Sequence, residues 1–178
     1  MRASRLTVAL SVLAMLFGLG CNSSRSSNPA LKDSVKKALQ QADLQTVTVD
    51  EDQGKNLITL GGTVHSTDAK AKAMDVAKAS APTRVIANEI SVQPVDQESA
   101  ARKISGDVDT AIEKEYEAVL IANHLDKGIR YKAKNGVLTL TGKVDTPDDR
   151  QTAQQLASSV PNVQQVINEL QVKRPSGL

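Results

Sequence analysis

Residues 57–92 and 137–172 are two versions of one segment. The first runs from LITLGGTV to VIANEISV and the second from VLTLTGKV to QVINELQV; a constant shift of 80 (142 − 62) aligns them without a gap. Ten of the 36 positions are identical, Gly62/Gly142, Asn88/Asn168 and Glu89/Glu169 among them, and seven more exchange like for like. Random pairing at ordinary residue usage would give about two identities. Such a duplication constrains the architecture to two small domains, each closing its own core. With Phe17, Tyr116 and Tyr131 as the only aromatic residues, those cores must be aliphatic.

Each copy reads as helix, strand, strand, helix, strand. Leu31, Val35, Ala38 and Leu39 recur at helical spacing and predict an amphipathic helix over 30–41. A strand over 45–50, the acidic turn DEDQGKN and a strand over 56–64 form a hairpin. Period-2 alternation puts Ile58, Leu60, Gly62 and Val64 on one buried face, where Gly62, like Gly142, lets a helix approach closely or permits a bulge. Ser66 caps the next helix, whose inward stripe is Ala69, Ala73, Val76, Ala77 and Ser80, and Pro82 ends it. Residues 85–92 return as a strand parallel to 56–64 through a right-handed crossover. Asn88 and Asn168 take matching inward slots, where a buried amide satisfies backbone groups.

In the second copy Ile104, Val108, Ala111 and Ile112 repeat the spacing of the first helix at a shift of 73. The strands lie at 80, so the expectation is a helix lengthened at its C-terminal end through 115–125. There the run Val119-Leu120-Ile121 cannot all be buried, which leaves either a docking surface or a longer cover for the sheet. On the strand 128–136, Ile129, Tyr131 and Ala133 alternate with Arg130, Lys132 and Lys134, and Asn135-Gly136 signals a two-residue hairpin. With Lys143 on the next strand these cations form a basic stripe, suited to anionic head groups or to guarding a sheet edge. Thr146-Pro147 starts the last helix, with core stripe Ala153, Leu156, Ala157 and Val160, and 163–172 is the closing strand.

At the N-terminus two arginines precede an apolar run from Leu6 to Leu19 and then Cys21, the single cysteine. The run is short for a membrane span and has the layout of a secretory signal over 1–20. With the cysteine directly after it, the segment resembles a bacterial lipoprotein signal, although Gly18 stands where that family usually has Leu. The resemblance implies acylation of Cys21, cleavage just before it, and an anchor in the outer membrane facing the periplasm. More than one acyl chain makes such an anchor stable. Residues 22–29, NSSRSSNP, suit a flexible tether.

Removing Arg2 and Arg5 with the signal leaves 20 basic and 20 acidic residues, and a chain without basic excess or stacking aromatics is not built for nucleic acid. His65 and His124 are isolated, and no nucleophile–base set, metal-ligand cluster or phosphate loop occurs. The reading is therefore of a protein that is not an enzyme, with no cofactor, metal or small-molecule substrate.

The pattern Val-x-Leu-x-Gly-x-Val, a helix, then Val-x-Asn-x-Ile/Leu-x-Val resembles the BON domain. It is carried by 57–64 with Ile86, Asn88, Ile90 and Val92, and again by 137–144 with Val166, Asn168, Leu170 and Val172. The resemblance implies an α+β fold of two tandem αββαβ sandwiches over 30–94 and 100–174, each a three-stranded mixed sheet with two helices. It also implies a non-catalytic envelope lipoprotein that binds phospholipid surfaces or envelope proteins and serves envelope integrity or osmotic tolerance. The alternative is a periplasmic protein-interaction or chaperone-like module acting through the long helix of the second domain.

Overall fold

A computed structural model describes residues 31–173; the expected signal, Cys21, the tether and the C-terminal tail lie outside the described residues. The first domain opens with α1 (Leu31–Gln41), which buries Val35 and Leu39, one turn apart, and turns Lys36 and Lys37 to solvent. Strand β1 (Val47–Asp52) pairs antiparallel with β2 (Leu57–Val64), opposing Val49 to Leu60. β1 ends two residues beyond the expected 45–50 because the acidic residues have bonds to make. The Glu51 carboxylate accepts from Lys32 N–H at 3.1 Å and from Arg84 Nη2 at 3.0 Å, while Asp52 Oδ1 accepts from Lys55 N–H at 3.0 Å and forms the turn.

Helix α2 (Thr67–Ser80) starts where Ser66 Oγ accepts from Ala69 N–H at 3.1 Å. Ala73 and Ala77 are fully buried, so a face of methyl groups lets the helix lie close to the sheet. β3 (Val85–Asn88) and β4 (Ser91–Val92) both run parallel to β2. Their offset from β2 is the same, 88 − 60 = 91 − 63 = 28, so they are one strand interrupted for two residues. Asn88, the last residue of β3, spans the break: its Nδ2 donates to the Lys70 carbonyl of α2 at 3.0 Å and its Oδ1 accepts from Ile90 N–H at 3.4 Å. Asn168 repeats this with the Arg150 carbonyl and Leu170 N–H. Both amides satisfy backbone groups, as the sequence predicts, and so tie helix to strand, but Asn88 is buried while Asn168 is partly exposed.

The second domain follows the same order: α3 (Glu98–Ala122), β5 (Ile129–Lys134), β6 (Val137–Val144), α4 (Pro147–Ser159), β7 (Gln165–Asn168) and β8 (Gln171–Val172). The expected α+β architecture is present, two mixed sheets each covered on one face by two helices. The cores are aliphatic around Ile58, Leu60 and Ile90 in one domain and Leu138 and Leu140 in the other. The exception is Tyr116, fully buried, whose hydroxyl donates to the Ala153 carbonyl at 3.0 Å and whose ring meets Tyr131 edge-on at 5.3 Å.

The long helix differs from expectation in where it is long. The left-handed residue that ends α1, Asp43 (φ 62°), matches His124 (φ 57°) after α3, and Leu44 and Leu125 each donate N–H to a leucine five residues back. Hence Leu39 corresponds to Leu120 and Val35 to Tyr116, a shift of 81 (120 − 39) rather than 73. The additional turns are at the N-terminal end, over 98–111, and the connection to the strand is nearly unchanged.

Gly62 (φ 89°) and Gly142 (φ 115°) depart from the first of the two expectations, close approach of a helix. What a side chain would strike is the carbonyl of Thr46, just before β1, or of Gly128, just before β5, and no helix. A left-handed residue in mid-strand lets the hairpin twist sharply, and only glycine adopts it without strain.

Candidate functional site

The helix-free face of the β5–β6 hairpin carries the predicted cations, all exposed. They do not form one patch. Lys132 Nζ lies 2.9 Å from Glu113 of α3, and Lys134 Nζ lies 2.7 Å from Glu89 of the first domain. Arg130 and Lys143 form no ion pair with any described residue. Burial alone would raise the Glu113 carboxyl, but the Ala133 N–H it accepts at 2.9 Å and the Lys132 ammonium hold it below the usual carboxylate range.

The apolar run divides as a helix requires, since neighbours stand roughly 100° apart. Leu120 is core, 1% exposed, and is removed from the candidate surface; Val119 is half-buried and Ile121 is 56% exposed. The loop after α3 then turns back so that Lys143 N–H bonds the Gly128 carbonyl at 2.9 Å. One end of the second domain thus presents Ile121, Lys127, Arg130 and Lys143, all exposed.

The domains meet through repeat-equivalent residues. Leu57 and Val137 (137 − 57 = 80) pack with Ala87 and Ile167 (167 − 87 = 80) in a small apolar cluster. Around it the contacts are reciprocal: Lys134 pairs with Glu89, and Lys55, on the other hairpin, pairs with Glu169 at 2.8 Å. Reciprocity of this kind is the signature of a two-fold arrangement, here within one chain. The Glu169 carboxylate beside it raises the Lys55 ammonium above its ordinary value. Gln165 reaches across to the free edge of β3, accepting from Asn88 N–H at 3.1 Å and donating to the Ile86 carbonyl. Asn135 Nδ2 donates to the Glu89 carbonyl at 2.7 Å. Sequence reasoning missed this interface, although Leu57/Val137 opposite the core-facing Ile58/Leu138 and the identity of Glu89/Glu169 signalled it.

The N-terminal turns of α3 lie along the junction. Asp109 accepts from Asn135 N–H at 2.8 Å and Gly136 N–H at 3.1 Å, and Glu113 caps Ala133, so this helix covers the outer edge of β5. Between these turns and α2 runs a groove of about 820 Å³, with Ala71, Met74, Ile104 and Val108 on its walls and Lys70 and Asn135 toward the second domain. Among the described residues no cluster of three or more His, Cys, Asp or Glu is placed to hold a metal ion. No described helix is long and apolar enough to cross a membrane.

A family model of the BON domain matches residues 27–94 and 108–174. The chain belongs to the BON-domain family. The starts of the two BON matches differ by 81 (108 − 27), the shift at which the helices correspond. Among relatives, the chain is 26% identical over 147 residues to osmotically-inducible protein Y of Escherichia coli, covering 81% of this chain and 72% of that protein. It is 27% identical over 140 residues to an uncharacterised protein of the gshII 5′ region of Anaplasma centrale, covering 78% of this chain and 89% of the other. Among solved structures it is similar to CdsD, a structural protein of the type III secretion system of Chlamydia trachomatis, at 11% identity and a TM-score of 0.38 over 81% of this chain and 92% of that one.

Proposed function

We propose that this two-BON-domain protein is a non-catalytic component of the bacterial envelope that meets phospholipid surfaces and serves osmotic tolerance. The observation that carries the reading is the end of the second domain where exposed Ile121 stands with Lys127, Arg130 and Lys143, cations that form no ion pair with any described residue. An apolar anchor among basic side chains fits an anionic bilayer interface, at about 1 kcal/mol per cation near the surface. The relation to an osmotically inducible protein supports the physiological setting. Acylation of Cys21 would hold this surface at the outer membrane from the periplasmic side.

The test is co-sedimentation of residues 22–178 with vesicles. Anionic vesicles should retain the protein and zwitterionic ones should not. Arg130→Glu with Lys143→Glu, or Ile121→Asp alone, should release it, whereas Lys132→Gln should change retention little. Equal retention of all variants contradicts the assignment. Failure on every vesicle, alongside an envelope protein captured through Ile121, would return the function to the protein-interaction reading.

A further inference from the structure

We infer that Asn135 is a deamidation site that the domain junction holds closed, and that an opened junction is recorded there as a permanent negative charge. Asn135-Gly136 is the one Asn-Gly pair in the chain. Gly136 has no side chain to shield its backbone nitrogen, which, once deprotonated, attacks Cγ of the preceding amide. A C–N bond forms, ammonia leaves, and a succinimide ring results. Water then opens the ring at either carbonyl. The product is an aspartyl residue or an isoaspartyl residue, the latter with an extra methylene in the main chain.

In the docked protein the groups this reaction needs are tied. Asn135 Nδ2 donates to the Glu89 carbonyl of the first domain at 2.7 Å, and its Oδ1 accepts from Ser105 Oγ of α3 at 2.7 Å, which keeps the amide carbon from swinging over Gly136. Lys70 of α2 donates to the Asn135 carbonyl at 3.0 Å. Gly136 N–H donates to Asp109 Oδ1 at 3.1 Å, and a carboxylate so placed opposes loss of that proton. Asn135 is only half-buried and lines the groove beside α3, through which water reaches the turn. Separation of the domains removes the Glu89 and Lys70 contacts together. Conversion is then one-way: a carboxylate cannot donate to the Glu89 carbonyl, and it sets a second negative charge beside Asp109.

The inference does not rest on the membrane-surface reading, whose residues lie at the opposite end of the β5–β6 hairpin. The test is ageing of residues 22–178 at mildly alkaline pH, with and without urea, followed by mass spectrometry of the tryptic peptide 135–143. Amide-to-acid conversion at Asn135 should run at least tenfold slower in the folded chain than in urea. In urea it should also outpace conversion at Asn56, whose neighbour is the bulky Leu57, at least tenfold. Without urea, Ile167→Asp, which opens the junction, and Ser105→Ala, which frees Oδ1, should each speed it at least threefold. The aged product, separated by ion exchange, should have a lower urea midpoint than the fresh chain, and so should Asn135→Asp. Equal rates in the folded and unfolded chains, conversion in urea no faster than at Asn56, or an aged product as stable as the fresh chain overturns the assignment. Should Ile167→Asp fail to fold, Ser105→Ala decides, and a rate equal to the parent's overturns it.

Discussion

Two glycines and one glutamate show what single residues contribute. Gly62 and Gly142 hold positive φ against the carbonyl that precedes the neighbouring strand, so Gly62→Ala adds both backbone strain and a clash. It should destabilise by about 2 kcal/mol or more, read as a lower urea midpoint at unchanged slope. Glu113 makes a pH prediction. Its folded pKa lies below the usual carboxylate range, so the stability it contributes is full above the unfolded pKa and disappears as pH falls through the folded one. The difference between the parent and Glu113→Gln should therefore be constant near neutrality and vanish on acidification. A difference that grows below pH 4.5 would reverse the assigned sign.

At the scale of elements, the distinctive feature is the N-terminal part of α3, which shields a sheet edge. Asp109→Ala leaves the N–H groups of Asn135 and Gly136 without their acceptor and should cost about 1–3 kcal/mol, with faster hydrogen exchange at those two amides. Asp107→Ala, on the exposed side, should change neither. Elements and their order were legible in the sequence because period-2 and helical stripes report which face is buried. The register of α3 was not. Leu31, Val35, Ala38 and Leu39 share their spacing with Ile104, Val108, Ala111 and Ile112, but equally with Ile112, Tyr116, Val119 and Leu120, because the stripe repeats itself eight residues on. Periodicity cannot choose between the two. The choice is made by the turn after the helix, where Asp43 and His124 adopt the same left-handed conformation. The run Val119-Leu120-Ile121 alone does not say which of its residues is core, and the structure buries Leu120; pairing with Glu113 and Glu89 splits a cation stripe that alternation alone joins.

For the whole molecule, duplication has supplied each domain with its own partner. A unit of this size is marginal alone, and the apolar cluster of Leu57, Ala87, Val137 and Ile167 lets each half cover the other. That cluster matters more than the ion pairs around it: Lys134 is 58% exposed, and coupling between Glu89 and Lys134 in a double-mutant cycle should stay near or below 1 kcal/mol. Ile167→Asp, by contrast, places a charge in the cluster and should separate one cooperative urea transition into two. The most direct test of the two-fold docking is the measurement of residual dipolar couplings for backbone amides of both domains in one weakly aligned sample. The docked arrangement predicts that a single alignment tensor fits residues 31–94 and 98–173 together. Two tensors of different magnitude or orientation would show that the halves move as separate bodies, and the shared interface and the groove beside it would fall with that result.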